Sequence, residues 1–336
     1  MKLEPRLETV LRHYPDLGEI RTWRPLGGAG GFSGAEFWRL ETEQGPFCLR
    51  RWPQEHPNRE RLEFIQAVLW QVHQEGCYFV PLPLEAATRA GYVRHEGHFW
   101  EVTPWMPGKA DYHQAPTNEK LCNALAALAN FHTAAASFPV PQAGPAPSPG
   151  IAQRLELVRT LKEPQLAELQ AALDRSTWLE MDRRARRALS LVPRALPAVE
   201  TLLAECLPLA VPLQPCIRDV WHDHVLFLDG QVSGIIDFGA MRIDNVATDI
   251  ARLTGSLVGD ERDGWRLGLE AYEAVRPLAE AEGKLIKAFD RSGVLLSLVN
   301  WLRWLYVERR TFENRAAIEL RVDELLPRLE RLTELK

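Results

Sequence analysis

Ile217-Arg218-Asp219-Val220-Trp221-His222-Asp223-His224-Val225-Leu226-Phe227 is followed a few residues later by Ile235-Ile236-Asp237-Phe238-Gly239. Val225 to Leu228 reads as a strand, Asp229-Gly230 as a tight turn and Gln231 to Ile236 as the return strand. Such a hairpin turns the chain back on itself. Asp219 and Asp237, eighteen positions apart, are therefore expected at the same end of a small sheet.

Two carboxylates so placed suit phosphoryl transfer from ATP: one orients a hydroxyl or accepts its proton, and the other holds magnesium. At this point the chain resembles the aminoglycoside phosphotransferase and choline kinase-like family. Its pattern is His-Gly-Asp, five further positions to an Asn, then a hairpin and Asp-Phe-Gly. The resemblance extends over roughly residues 20–310, and only 219–239 is specific. It implies an α+β, bilobal protein kinase-like fold, with a small antiparallel-sheet lobe and a larger, mainly helical lobe. Residues 1–104, with a lead helix, would form the nucleotide lobe, and 105–336 the catalytic and substrate lobe. By the same resemblance Asp219 is the catalytic residue, Asp237 a metal ligand, and ATP with Mg2+ or Mn2+ the cofactor. A small-molecule hydroxyl is the acceptor.

Two of the departures from the pattern bear on the chemistry. Ile217 replaces the His, which is a support residue. His224 stands at the Asn position, whose side-chain oxygen helps to hold metal. Magnesium prefers oxygen ligands, and imidazole suits softer metals. Either one metal ion is held differently, with His224 as a ligand candidate, or Asp223 supplies an oxygen, or activity is low; the last keeps open a pseudokinase that binds nucleotide or metabolite with little transfer.

Composition is ordinary for a soluble globular protein, with 46% hydrophobic and 25% charged residues. The 336 residues are enough for a large core or two lobes. A net charge of −5 gives no basic footprint for nucleic acid. Met1 to Arg24 has no apolar core of signal-peptide type, and Gly293 to Val307 is too short to span a bilayer. Five scattered cysteines without a Cys-x-x-Cys pair fit buried thiols in a reducing cytoplasm. Oligomeric state is not written in the sequence.

Along the chain, residues 3–17 have the spacing of an amphipathic helix. Strands are expected over 21–26, 35–41, 47–52, 92–94 and 99–103, and a helix over 58–73. After Gly108 helices dominate, starting with 121–136, and Pro-rich 138–150 reads as a surface loop or lid.

Gly28, Gly30, Gly31 and Ser33 lie in a glycine loop between two strands, where backbone N–H groups can face phosphate. It is not a Walker-type loop, which needs Gly-Lys-Ser/Thr opening a helix. Leu49-Arg50 matches the family's basic residue on the third strand. Alternation places Arg50 and Cys48 on one face and Arg51 on the other. A guanidinium can pair bidentately with phosphate oxygens. Its carboxylate partner is left open between Glu60 and Glu63. Pro104 to Met106 resembles the hinge that holds adenine; Pro104 retains a carbonyl and Met106 an N–H. Trp221, Trp301 and Trp304 are substrate-side candidates. The last two share a helix face and resemble an aromatic pair that faces cationic substrates, though core packing explains them slightly better. His132 reads as a satisfied core histidine.

Overall fold

A computed structural model describes residues 4–27, 34–141, 144–161, 163–312 and 315–334. Gly28, Gly30, Gly31 and Ser33 lie outside the described residues. The chain packs as two compact units. The first joins Met1–Phe138 to His222–Met241, and the second joins Pro139–Trp221 to Arg242–Lys336.

In chain order the first unit starts with α1 (Pro5–Leu11) and a 3-10 turn (Pro15–Leu17). The single helix expected over 3–17 is thus split. Pro15 has no amide to continue the ladder and pushes Tyr14 out of helical geometry, to φ −110° and ψ 87°. Strands β1 (Ile20–Gly27), β2 (Glu36–Thr42) and β3 (Gly45–Arg51) form an antiparallel meander. Helix α2 (Arg59–Gln74) follows, then β4 (Val93–His95) and β5 (His98–Pro104). The sheet order is β1-β2-β3-β5-β4, so β5 inserts beside β3. One sheet face is apolar because Trp38, Leu40, Leu49, Trp100 and Val102 alternate inwards. Leu7, Val10 and Tyr14 of the N-terminal segment belong to the same core, and the Tyr14 hydroxyl donates to the Trp100 carbonyl at 2.9 Å. The side chain of Asn58 caps α2 by accepting from the Arg61 N–H at 3.0 Å. Helix α3 (Asn118–Ala135) starts at a Thr117 cap, three residues before the expected boundary.

The second unit takes over with a two-residue strand β6 (Ala146–Pro147) and helices α4 (Pro149–Thr160), α5 (Glu163–Leu173) and α6 (Leu179–Cys206). Strands β7 (Ala210–Val211) and β8 (Gln214–Cys216) follow. The chain then returns to the first unit for the hairpin β9 (Val225–Leu228) and β10 (Gln231–Ile235), within a residue of the boundaries expected from sequence. Its turn is Asp229-Gly230, at φ 50° and 79°, the left-handed pair that a two-residue hairpin turn requires. The second unit resumes with β11 (Arg242–Asp244), α7 (Ala247–Val258), α8 (Arg262–Glu273), α9 (Glu280–Leu302), a π turn (Arg303–Val307) and α10 (Arg315–Leu332). Helices α6, α7, α9 and α10 enclose its core, including Val192, Leu253, Leu295 and Leu329. No helix among the described residues is long and apolar enough to cross a membrane.

Candidate active site

Arg50 is the centre of the first unit's polar group. It sits on β3, and its side chain is only 11% exposed. Its guanidinium stacks on the Trp52 ring at 3.3 Å and lies 5.1 Å from the Phe37 ring. Its Nη1 donates to Asp237 Oδ1 at 3.2 Å. Directly opposite it in the ladder, on β5, stands Glu101. Neither glutamate considered from the sequence accompanies Arg50. Glu63 accepts from Arg59 and Tyr92 on the surface, and Glu60 accepts from Asn58. Helix α2 instead contributes Gln66, whose Nε2 donates to Glu101 Oε2 at 2.7 Å. Burial raises the Glu101 carboxyl above its ordinary range, against the pull of Arg50 and the Gln66 hydrogen bond.

Asp237 follows β10 with φ 62°, a left-handed conformation unusual for a non-glycine residue. Burial would raise its carboxyl, but Arg50 and then His224 outweigh this and hold it below the usual carboxylate range. His224 closes a 3-10 turn (His222–His224) just before β9, and its carbonyl accepts from the Ile236 N–H. Its Nε2 lies 3.8 Å from Asp237 Oδ2. Two atoms bound at about 2.1 Å to one ion would be about 3 Å apart if adjacent and about 4 Å apart if opposite. The 3.8 Å separation lies between these values, so both atoms could reach one divalent cation only after a small side-chain adjustment. A Cβ at Gly239 would lie 3.2 Å from the Trp52 ring that supports Arg50 and would press on it.

The linker after β5 is tied to the hairpin. Lys109 and Phe227 exchange both backbone hydrogen bonds, at 3.0 and 2.8 Å. Gly108 at φ 94° allows this approach, because a Cβ would meet the Phe227 carbonyl oxygen at 2.6 Å. Pro104 ends β5 opposite Phe47, and Met106 packs against Gly234 of the hairpin. His132 is fully buried, in keeping with a core role.

In the second unit, Asp219 belongs to an irregular segment after β8. That segment is held by Asp249 of α7, a residue that the sequence reading missed. Its fully buried carboxylate accepts the backbone N–H of Ile217 at 2.6 Å and of Arg218 at 2.5 Å. A detectable signal was present: an aspartate placed within the apolar run of α7 among Ile250, Ala251 and Leu253, where a charge needs a buried partner. Arg218 has φ 67° at the position where the family pattern has glycine. The conformation costs an L-residue roughly 1–2 kcal/mol. The Asp249 hydrogen bond and a side-chain bond from Arg218 to Gln153 at 2.9 Å hold it there. One helical turn beyond Asp249, Arg252 reaches Asp219. Its Nε and Nη2 both donate to Oδ1, at 3.2 and 3.0 Å. Trp221 faces two guanidinium groups, those of Arg252 at 5.7 Å and Arg321 at 5.0 Å. Trp301 and Trp304 meet edge to face at 5.2 Å. Trp301 is buried in the core, and Arg310 covers the Trp304 ring at 4.8 Å.

A sequence profile described as the phosphotransferase enzyme family matches residues 23–285. A homoserine kinase of Xanthobacter autotrophicus is 26% identical over 307 residues, covering 88% of this chain and 85% of its own. A homoserine kinase of Brucella ovis is 25% identical over 320 residues, covering 92% and 87%. Among solved structures, a spectinomycin phosphotransferase in complex with ADP and spectinomycin superposes with a TM-score of 0.70. It is 13% identical, and 99% of each chain is covered. An aminoglycoside phosphotransferase from Alicyclobacillus acidocaldarius gives 0.61 at 16% identity, covering 99% and 97%. The chain belongs to the phosphotransferase enzyme family and is a small-molecule kinase with an alcohol group as acceptor.

Proposed function

We propose that the chain transfers the γ-phosphoryl group of ATP to a hydroxyl of a small molecule, with Asp219 orienting that hydroxyl and Asp237 and His224 holding the divalent metal. The observation that carries this reading is the grouping of Arg50 and His224 around the Asp237 carboxylate. A cation for phosphate and two metal ligands are thereby side by side. When bound, the metal neutralises phosphate charge. Arg50 binds the phosphates, the linker from Pro104 to Met106 receives adenine, and the glycine loop at Gly28, Gly30, Gly31 and Ser33 covers the phosphates. In this scheme residues 1–104 form the nucleotide lobe and 105–336 the acceptor lobe. Asp219 is fixed in place by the Asp249 clamp. Catalysis rests on positioning and on charge stabilisation. His224 at the asparagine position supports the second reading, a pseudokinase.

The test is a phosphorylation screen with ATP and either magnesium or manganese. Homoserine, related hydroxy amino acids, amino alcohols and aminoglycosides are the acceptors, and Asp219→Asn is the control. Transfer that falls about 10²–10⁴-fold in the variant, with ATP binding retained, supports the kinase. ATP binding without transfer to any acceptor supports the pseudokinase.

A further inference from the structure

Arg252 and Arg321 project from two different helices, α7 and α10, towards the same indole, Trp221. Arg252 is held firmly with respect to Asp219. Asp249, three residues earlier on α7, fastens the backbone of Ile217 and Arg218 and so ties the segment that carries Asp219 to the helix that carries Arg252. Both guanidinium groups remain within reach of solvent, at 28% exposure for Arg252 and 14% for Arg321. Arg321 gives one nitrogen, Nη1, to Glu324 at 2.8 Å.

The surroundings are rich in cations. Arg154 is half-buried beside Phe289 and donates to Ser292 at 2.9 Å. Burial, and then repulsion from Arg218 and Arg252, push it down to about 10. Arg321 is likewise pushed down, by burial and then by Arg252. Arg252 thus bears as a like charge on both Arg154 and Arg321. Arg328, the next cation along α10, is already neutralised by Asp260 and Asp290. Arg252 and Arg321 are not matched in that way. The carboxylate on Arg252 is Asp219 itself, half-exposed and assigned to the acceptor hydroxyl.

We propose that Arg252 and Arg321, flanking Trp221, form a subsite for a carboxylate carried by the acceptor. This deepens the kinase reading and rests on its assignment of Asp219. Planar guanidinium forks match a carboxylate's two oxygens. The indole supports the forks from one side and gives the acceptor an apolar wall. The hydroxyl must reach Asp219 while the carboxylate meets Arg252, whose nitrogens lie 3.0 and 3.2 Å from Asp219 Oδ1. The acceptor is therefore a short hydroxy acid, with only a few bonds between its two groups. An acceptor carboxylate would compete with Asp219 for the Arg252 guanidinium, leaving the aspartate oxygen to accept from the hydroxyl. A polycationic acceptor would be repelled by the same groups.

The test is calorimetric binding of hydroxy acids of three to five carbons, with and without an α-amino group, each against its own carboxamide. It uses the full chain, so it reads the subsite without requiring turnover. The expected result is roughly ten-fold or greater preference for at least one acid over its amide. Arg321→Gln should abolish the preference, and Arg321→Lys should retain part of it. Melting curves identify any variant that has failed to fold, and the lysine variant then carries the comparison. Equal binding of every acid and its amide by the wild type overturns the subsite. So does a preference that survives Arg321→Gln. Acid-selective binding without phosphoryl transfer would overturn the kinase reading while leaving the subsite intact.

Discussion

Arg50 Nη1 and Asp237 Oδ1 lie 3.2 Å apart, joined across 187 positions of sequence. The group assigned to phosphate and the group assigned to metal thus neutralise each other in this state. On the proposed roles, binding of a metal–nucleotide complex would exchange this pair for two others, Arg50 with phosphate and Asp237 with metal. Such an exchange would leave both groups paired before and after binding.

Asp237→Asn should weaken metal-dependent ATP binding by roughly 10- to 100-fold, since one charged ligand is lost. The variant also bears on stability. The Asp237 carboxyl titrates below its ordinary value, despite burial, because of Arg50 and His224. Its pairing therefore contributes fully above the ordinary carboxylate value of about 4 and is lost as pH falls through the lower folded value. Urea midpoints measured between neutral and acidic pH should show a shallower acid limb in Asp237→Asn than in the wild type.

Glu101 titrates in the opposite direction. Burial raises its carboxyl, so the folded state holds the proton more tightly than the unfolded chain does. Stability from this group is present below its ordinary value of 4.5 and declines as pH rises through the raised folded value. Glu101→Gln should remove that decline. The same change takes away the carboxylate facing Arg50 across the ladder, and KM for ATP should rise several-fold with a smaller change in kcat. A variant with unaltered nucleotide affinity would show that Arg50 is positioned by Trp52 and Asp237 alone.

What was legible in the sequence was local. The β9–β10 hairpin could be read because Asp229-Gly230 and the alternation around it are neighbours in the chain. Arg50 and Cys48 were placed on one face by the two-residue period of a strand. The lead helix was overextended because its apolar spacing continues to Tyr14 and Leu17, past the point where Pro15 forbids a helix. Glu101, Asp249 and Arg252 escaped notice because their meaning lies in distant partners. Gln66 is 35 positions from Glu101, and Ile217 is 32 from Asp249. No periodic pattern records such pairings.

Asp249→Ala leaves the N–H groups of Ile217 and Arg218 without their buried acceptor. Each orphaned buried donor costs about 1–3 kcal/mol, so a loss of roughly 2–5 kcal/mol in unfolding free energy is expected. Where the protein still folds, kcat should fall more than KM for ATP rises, because the clamp positions Asp219 rather than the nucleotide. Asp249→Asn retains one acceptor oxygen but turns an amide donor towards the second N–H, so it should be only partly milder. Chemical denaturation combined with single-turnover kinetics separates the two effects.

His224 offers the sharpest test of the metal assignment. Its Nε2 is 3.8 Å from Asp237 Oδ2, close enough for both to bind one ion. A nitrogen ligand lowers the site's preference for magnesium relative to manganese, because magnesium is the harder ion. The wild type should therefore work at least as well with manganese as with magnesium. His224→Asn replaces the imidazole by a side-chain oxygen and should shift the ratio of kcat/KM with the two metals towards magnesium by several-fold. It also removes one of the groups that hold the Asp237 carboxyl low, so that carboxyl should titrate higher in the variant. Paired metal titrations of both proteins, together with NMR titration of the Asp237 carboxyl, measure the two consequences independently. An unchanged metal ratio in His224→Asn and in His224→Ala would remove His224 from the coordination shell and leave Asp237 as the metal ligand of this pair.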